Sequence, residues 1–343
     1  MHKKYVIIFS EYINLSEVKI MNIFKKFIPA LLAVSVTAAT AYAADFPDMP
    51  QDWTAESLVK AVDNGLLSGF EDGTIRPANK ITRAQMAAII TRSFGASKAA
   101  DLSEFSDVNQ NDWFYESFAQ AVQMQAFNGD DRKLLNPSNP ITFQECFKVV
   151  ASVFGLIANT EDKYQNNDLK IQDLSVLDKF ADGSEVSDWA KPYVAAIVSG
   201  GYWDGIDGKL TPKEHITRAQ FAVLMDKMVT TYINAPGTYK DLPAGNIMIK
   251  AGDVNIDGLD SSSYVIISDG VPQSDSGVTF TNSKLDGRLV IRGGGQNTAF
   301  TGFLKDFVIL NPDLNLIANL SNIKTVKGYI KDSSSSWTYT FGG

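Results

Sequence analysis

The chain has 343 residues, 45% of them hydrophobic and 20% charged, with a formal net charge of -8. That length has room for two or three domains of ordinary globular composition, and the acidic balance excludes a general nucleic-acid binder, which needs a basic face. A single cysteine, Cys146, excludes an internal disulfide, and two histidines, His2 and His215, are too few for a His-based metal site or a Ser-His-Asp triad.

Residues 21–43 read as a secretory signal peptide. Met21 is followed by Lys25 and Lys26, an apolar run from Phe27 through Val36, and Ala41-Tyr42-Ala43, the small-x-small pattern that precedes cleavage. The apolar run is too short for a comfortable membrane span. Ala44 is then the expected first mature residue, and residues 1–20 the product of a misplaced gene start. The alternative is a lipid-retained anchor.

From residue 44 a pattern occurs three times, expected at 44–98, 101–158 and 171–233. In the first copy Phe46-Pro47-Asp48 leads to Trp53 and a helix with Leu58, Ala61, Val62 and Leu66 at helical spacing, ended by Asn64-Gly65. The turn Gly69-Phe70-Glu71-Asp72-Gly73 follows, and Arg76-Pro77 predicts an extended exit. Ile81-Thr82-Arg83-Ala84-Gln85 opens a second helix, with Thr82 as N-cap and Gln85 completing a capping box. The second copy has Phe105, Asp107, Trp113, the turn Asn128-Gly129-Asp130-Asp131, and Ile141-Thr142-Phe143-Gln144-Glu145. Here Phe143 takes the arginine's place. Cys146 lies on this helix's apolar run and reads as a buried, inert thiol. The third copy has Phe180, Asp182, Trp189, the turn Gly200-Gly201-Tyr202-Trp203-Asp204-Gly205, and Ile216-Thr217-Arg218-Ala219-Gln220. Each tryptophan precedes its Ile-Thr pair by 28, 28 and 27 residues. The polar stretch Asn159–Lys170 lengthens the last interval from 60 to 75 residues and reads as a surface excursion or linker. One such unit is too small to bury its own apolar face, whereas three packed together share a core.

These linked features, Phe-x-Asp, Trp, Gly-Phe-Glu-Asp-Gly-Thr-Ile-Arg-Pro and Ile-Thr-Arg-Ala-Gln, resemble the S-layer homology domain. The resemblance implies a three-bladed, α-rich pseudo-trimer. It also implies non-covalent binding to a secondary cell-wall polysaccharide on peptidoglycan, commonly one with a pyruvylated, anionic sugar, whereas similar single domains in some outer-membrane proteins of diderm bacteria bind modified peptidoglycan instead. Arg83 and Arg218 stand at helix N-termini, where a guanidinium and unsatisfied backbone N–H groups can act on the same anionic oxygens. Thr82, Thr217, Gln85 and Gln220 are the adjoining candidates. The alternative for each arginine is an inter-repeat salt bridge. Trp53, Trp113 and Trp189 are assigned to core packing rather than sugar stacking, and Trp203, in the third turn, to an exposed sugar platform. Phe143 cannot bind an anion, so at most two working grooves are expected, at Arg83 and Arg218.

After Ala235-Pro236-Gly237, which reads as a linker, residues 240–343 predict a small all-β domain. Its apolar residues alternate: Ile247 with Ile249, Val254 with Ile256, Val265 with Ile267, Val278 with Phe280, Leu289 with Ile291. Short strands and polar turns suggest a β-solenoid or a sandwich. The run resembles, loosely, the β-helix-like tails beside such repeats. Asp253-Val254-Asn255-Ile256-Asp257-Gly258 imitates the start of a calcium loop, but Tyr264 stands where its bidentate acid belongs. Gly293-Gly294-Gly295 lacks the lysine and helix of a phosphate loop and reads as a bend between strands. No cofactor or metal is expected.

The expected function is anchoring of an exported, non-enzymatic protein to the cell wall, with the β domain displayed. Alternatives are a lattice subunit that self-associates through the β domain and a wall-anchored polysaccharide-active enzyme. The acids for such an enzyme (Asp253, Asp257, Asp260, Asp269, Asp275 and Asp286) mostly adjoin Gly, Asn or Ser, as turn acids do.

Overall fold

The computed structural model describes residues 46–157, 173–272, 277–294 and 298–310, with the backbone of 317–319, 327–330 and 338–340. The signal peptide and the Asn159–Lys170 stretch lie outside these residues. The helices are α1 (Ala55–Asp63), α2 (Arg83–Phe94), α3 (Tyr115–Gln123), α4 (Phe143–Val153), α5 (Lys191–Ser199) and α6 (Arg218–Met228), two from each repeat. They pair across repeats: α2 with α3, α4 with α5, and α6 back onto α1. Each repeat thus buries its second helix against the first helix of the next, and the third repeat closes the ring on the first.

The Ile-Thr pairs make the hub. Ile81 N–H donates to the Ile216 carbonyl at 3.1 Å, Ile216 to Ile141 at 3.2 Å, and Ile141 to Ile81 at 2.8 Å, a closed ring of hydrogen bonds between three fully buried isoleucines. The next residues start the helices. Thr82, Thr142 and Thr217 accept from the backbone N–H of Gln85, Glu145 and Gln220, whose side chains accept in return, so all three capping boxes form.

The first-turn N–H groups are not available to a ligand, contrary to expectation. Arg83 N–H donates to Asn139 O at 2.9 Å and Ala84 N–H to Pro137 O at 3.0 Å. Phe143 and Gln144 donate in the same way to Glu214 and Pro212, and Arg218 and Ala219 to Asn79 and Pro77. Donors that every helix leaves unsatisfied here join one repeat to another.

The Phe-x-Asp element fixes the turn. The Asp48 carboxylate accepts from Ile75 and Arg76 N–H at 2.8 and 2.7 Å, and Asp107 and Asp182 do the same in their repeats. The residue clamped last is left-handed: Arg76, Asn136 and Thr211 have φ of 50, 53 and 46°. The extended exit expected at Arg76-Pro77 is therefore wrong. A left-handed non-glycine residue costs on the order of 1–2 kcal/mol, which the two carboxylate bonds offset. The phenylalanine of each motif lies against a turn glycine. A Cβ on Gly69, Gly129 or Gly205 would come within 2.4, 2.6 or 2.8 Å of Phe46, Phe105 or Phe180.

The strand-rich region begins at Thr231, directly after α6, and not at residue 240. Its strands are β1 (Thr231–Ile233), β2 (Gly237–Tyr239), β3 (Ile247–Ile249), β4 (Val254–Asp257), β5 (Asp260–Ser261), β6 (Val265–Ile267), β7 (Val278–Ile291), β8 (Ala299–Ile309), β9 (Ile317–Asn319), β10 (Lys327–Ile330) and β11 (Thr338–Thr340). Ala235-Pro236-Gly237 turns the chain from β1 into β2 and is no linker. Every strand pair described is parallel, which sets aside the sandwich, whose sheets are antiparallel. One ladder runs β1–β3–β6–β7–β8–β10 and a second β2–β4–β7–β8, so the sheet curls. The expected alternation holds. Ile247, Ile249, Val254, Ile256, Val265, Ile267, Val278, Phe280, Leu289 and Ile291 fill one apolar core.

The intervening residues of the first ladder face the other way. Met248, Ile266, Val290 and Val308 are aligned in register across β3, β6, β7 and β8 and belong to the core of the helical repeats. This ladder is therefore buried on both faces, as parallel sheets usually are. It meets the C-terminal ends of the three second helices. Gly270 N–H donates to Phe94 O at 2.8 Å, Arg288 to Gly155 O at 2.6 Å, and Asn246 to Met228 O at 2.9 Å. Orphan helix-end carbonyls are thus satisfied by the strand-rich region, two cationic side chains among the donors. Gly95 lies so close that a Cβ there would stand 2.7 Å from Gly270 Cα.

Candidate functional site

Arg83, the first residue of α2, reaches from the first repeat into the second. Its Nε donates to Leu135 O at 2.7 Å and its Nη1 to Glu145 at 3.0 Å, while the guanidinium lies 5.2 Å from the Phe127 ring centroid. The inter-repeat salt bridge weighed from the sequence is present. Arg218 repeats the gesture from the third repeat to the first. Its Nε donates to Ile75 O and its Nη2 to Ser68 O, both at 2.7 Å, and it sits 4.9 Å from the Phe70 centroid with no acidic partner among the described residues. Burial, before any charge, lowers the pKa of both arginines. Arg218 is 7% exposed.

Trp203 is not an exposed platform. It is 3% exposed and packs 5.2 Å from Phe143 and 5.9 Å from Phe147. Once phenylalanine replaces the arginine, that position demands an apolar neighbour, and the third-turn indole supplies it. The other tryptophans reverse their assignment too. Trp53, Trp113 and Trp189 are 61, 68 and 49% exposed, so each repeat presents one open indole face. Their fixed spacing carried that signal, but helical periodicity cannot separate an apolar residue facing the core from one held outside it.

The threonines and glutamines are spent in capping. Thr82 and Thr217 accept from helix N–H groups, and the Gln85 and Gln220 side-chain oxygens accept from the Thr82 and Thr217 N–H at 3.0 and 2.9 Å. Of the candidates read from sequence, Arg83 lines a groove between the repeats. Its volume is about 760 Å³, and residues of all three repeats meet in it: Arg83 from the first, Asn128, Glu145 and Lys148 from the second, Trp189, Tyr193 and His215 from the third. The Lys148 ammonium lies 6.0 Å from the Trp189 ring centroid. Burial first, then the nearby Arg83 charge, holds its pKa below the usual lysine value. Lys148, Trp189 and Tyr193 were not among the residues expected. Lys148 interrupts the apolar run of α4, and that polar interruption was its only trace in the sequence.

Elsewhere the structure offers no metal cluster among the described residues. In the calcium-like segment Val254 and Ile256 are buried in β4 and Asp257 pairs with Lys240 at 2.7 Å. Gly293 and Gly294 follow the end of β7, as a bend should. Cys146 is fully buried, and burial raises its thiol pKa.

The surface-layer 125 kDa protein of Lysinibacillus sphaericus is 29% identical to this chain over 206 residues, 58% of this chain and 16% of that protein. Exoglucanase XynX of Acetivibrio thermocellus is 24% identical over 181 residues, 52% of this chain and 16% of the enzyme. S-layer protein EA1 of Bacillus anthracis is 25% identical over 217 residues, 62% of this chain and 24% of that protein. The shared part is thus a minor fraction of each relative. Residues 45–87, 104–145 and 179–222 of this chain, one segment in each repeat, match the S-layer homology domain.

Proposed function

We propose that the three repeats hold this protein non-covalently at the bacterial cell surface by binding a secondary polysaccharide of the wall, with the curled parallel sheet, read as a β-solenoid, displayed beyond them. The observation that carries this reading is the groove at Arg83. It joins cationic side chains, amides and an exposed indole face, the chemistry that an acidic, partly apolar sugar demands. The relatives named for surface layers support the location.

Catalysis is assigned to no residue of this chain. Asp257 is paired with Lys240, Asp260 and Asp286 with Lys284, and Asp269 with Arg292, so these strand-region carboxylates serve ion pairs. Lattice assembly is the second reading, favoured by the surface-layer relatives, and electron microscopy of the purified protein for ordered sheets tests it. Wall binding is tested by sedimenting the mature protein with purified sacculi in the presence of soluble polymer released from the same sacculi. Competition is expected. Sedimentation that soluble polymer leaves unchanged would overturn polysaccharide recognition.

A further inference from the structure

The three repeats are pseudo-equivalent in backbone, so their grooves can be compared position by position. Six residues past the capping threonine stand Ala88, Lys148 and Val223; three past it stand Gln85, Glu145 and Gln220. Four past the exposed tryptophan stand Ser57, Ser117 and Tyr193. At these positions the groove at Arg83 combines a lysine, a carboxylate and a tyrosine with its indole, where the other two repeats carry alanine or valine, glutamine and serine. Its charges are largely committed. Arg83 is paired with Glu145 at 3.0 Å and Asp130 with Arg132 at 2.8 Å, while Asp131 is exposed at the rim. Lys148 is different. It is half-buried, no described carboxylate or carbonyl meets its ammonium, and its one described contact is the face of Trp189. The charge that attracts it is Glu145, which is already bound to Arg83, so two cations share one carboxylate and Lys148 keeps a half-buried ammonium with no hydrogen-bonding acceptor among the described residues. The corresponding space at Phe143 is filled by Trp203, and at Arg218 the guanidinium is buried and bonded to two backbone carbonyls.

Resting on the wall-binding reading above, we infer that the chain has one acidic-sugar site, at the groove of Arg83, and that Lys148 is the residue that contacts the sugar's anionic group. Arg83 positions the groove walls, and Trp189 presents the face on which the ring stacks. The anionic group is a carboxylate or a phosphate. Beside Trp53 and Trp113 the residues in the place of Lys148 are Val223 and Ala88, and those surfaces do not select for charge.

The test titrates the mature protein with polymer extracted from native sacculi, with carboxyl-reduced polymer, and with polymer dephosphorylated by hydrofluoric acid. One acidic repeat unit should bind per chain. Lys148→Gln should weaken binding about tenfold or more and remove most of its salt dependence, whereas Lys148→Arg should stay within about threefold of the parent. Whichever chemical treatment removes the anionic group should weaken the parent to the level of Lys148→Gln and leave Lys148→Gln itself unchanged, a result independent of how well the variant folds. Parent-like binding by Lys148→Gln, or two to three acidic units per chain, would overturn the single-site assignment while anchoring stands. A parent that fails to bind native sacculi would overturn the anchoring reading and this inference with it.

Discussion

Replacing Ile266 by Ala tests whether the helical repeats and the strand-rich region fold as one body. Ile266 is fully buried in the middle of β6, yet it belongs to the core of the repeats and is flanked in register by Met248 and Val290. Truncating such a side chain costs about 2–5 kcal/mol, because the lost methyl and methylene contacts leave a cavity between two rigid layers. Taking about 3 kcal/mol, the folding equilibrium falls by roughly two powers of ten. In a Trp337→Phe background tryptophan fluorescence reports where that loss is felt, since the other four of the five tryptophans, Trp53, Trp113, Trp189 and Trp203, all lie in the repeats and Ile266 does not. In urea the fluorescence transition should move to lower concentration with unchanged slope, together with the strand signal in the infrared. A fluorescence transition that stays in place while the strand signal shifts would show that the two parts unfold independently and would refute the shared core.

Three more outcomes follow from the repeat architecture. Phe143→Arg, which writes the arginine of the other two repeats into the second, should destabilise by about 3 kcal/mol or more, because it buries a charge against Trp203 without a partner; denaturation midpoints measure it. Gly205→Ala should destabilise by roughly 1–3 kcal/mol, since φ is +77° and a Cβ would stand 2.6 Å from Lys209 O, whereas Gly73→Ala, at φ +79° with open space around it, should show the backbone cost alone. Acid should also weaken the fold. Hydrogen bonds from the backbone of Ile75 hold Asp48 below its ordinary value of 3.8, and bonds from Thr74 lower Asp72 to about 2. The folded state therefore binds fewer protons than the unfolded chain in this range. Their contribution is whole above about pH 4 and is lost as pH falls through the folded values, which thermal melts between pH 5 and pH 2 should follow, with Asp48→Asn flattening the dependence.

The scaffold was legible because its signals are local. A capping box needs only Thr and Gln or Glu three residues apart, and strand alternation needs only neighbours, so α2, α4, α6 and the paired residues of β3, β4 and β6 follow directly from the order of residues. The pairing across repeats was not legible, and it decides what each candidate does. Arg218 looked like a ligand-binding cation until the fold brought Ile75 and Ser68 carbonyls to it from the first repeat, 143 and 150 positions away. Trp203 looked exposed because it sits in a turn, and Phe143, 60 residues earlier, determines that it is not. Lys148 reaches the groove only because α4 lies beside α5, where Trp189 stands just ahead of the first turn. The start of the strand-rich region was missed for a related reason. β1 is three residues long and gains its place from β3, with which it pairs, rather than from any period of its own.

The claim that these repeats bind the polysaccharide of the wall is tested most directly by comparing two sacculi preparations. The mature protein is sedimented with native sacculi and with sacculi from which the secondary polymer has been stripped by acid, at equal peptidoglycan. Saturable binding to the native preparation, reduced to background on the stripped one, is the predicted result. Equal binding to both would place the contact on peptidoglycan itself and contradict the account.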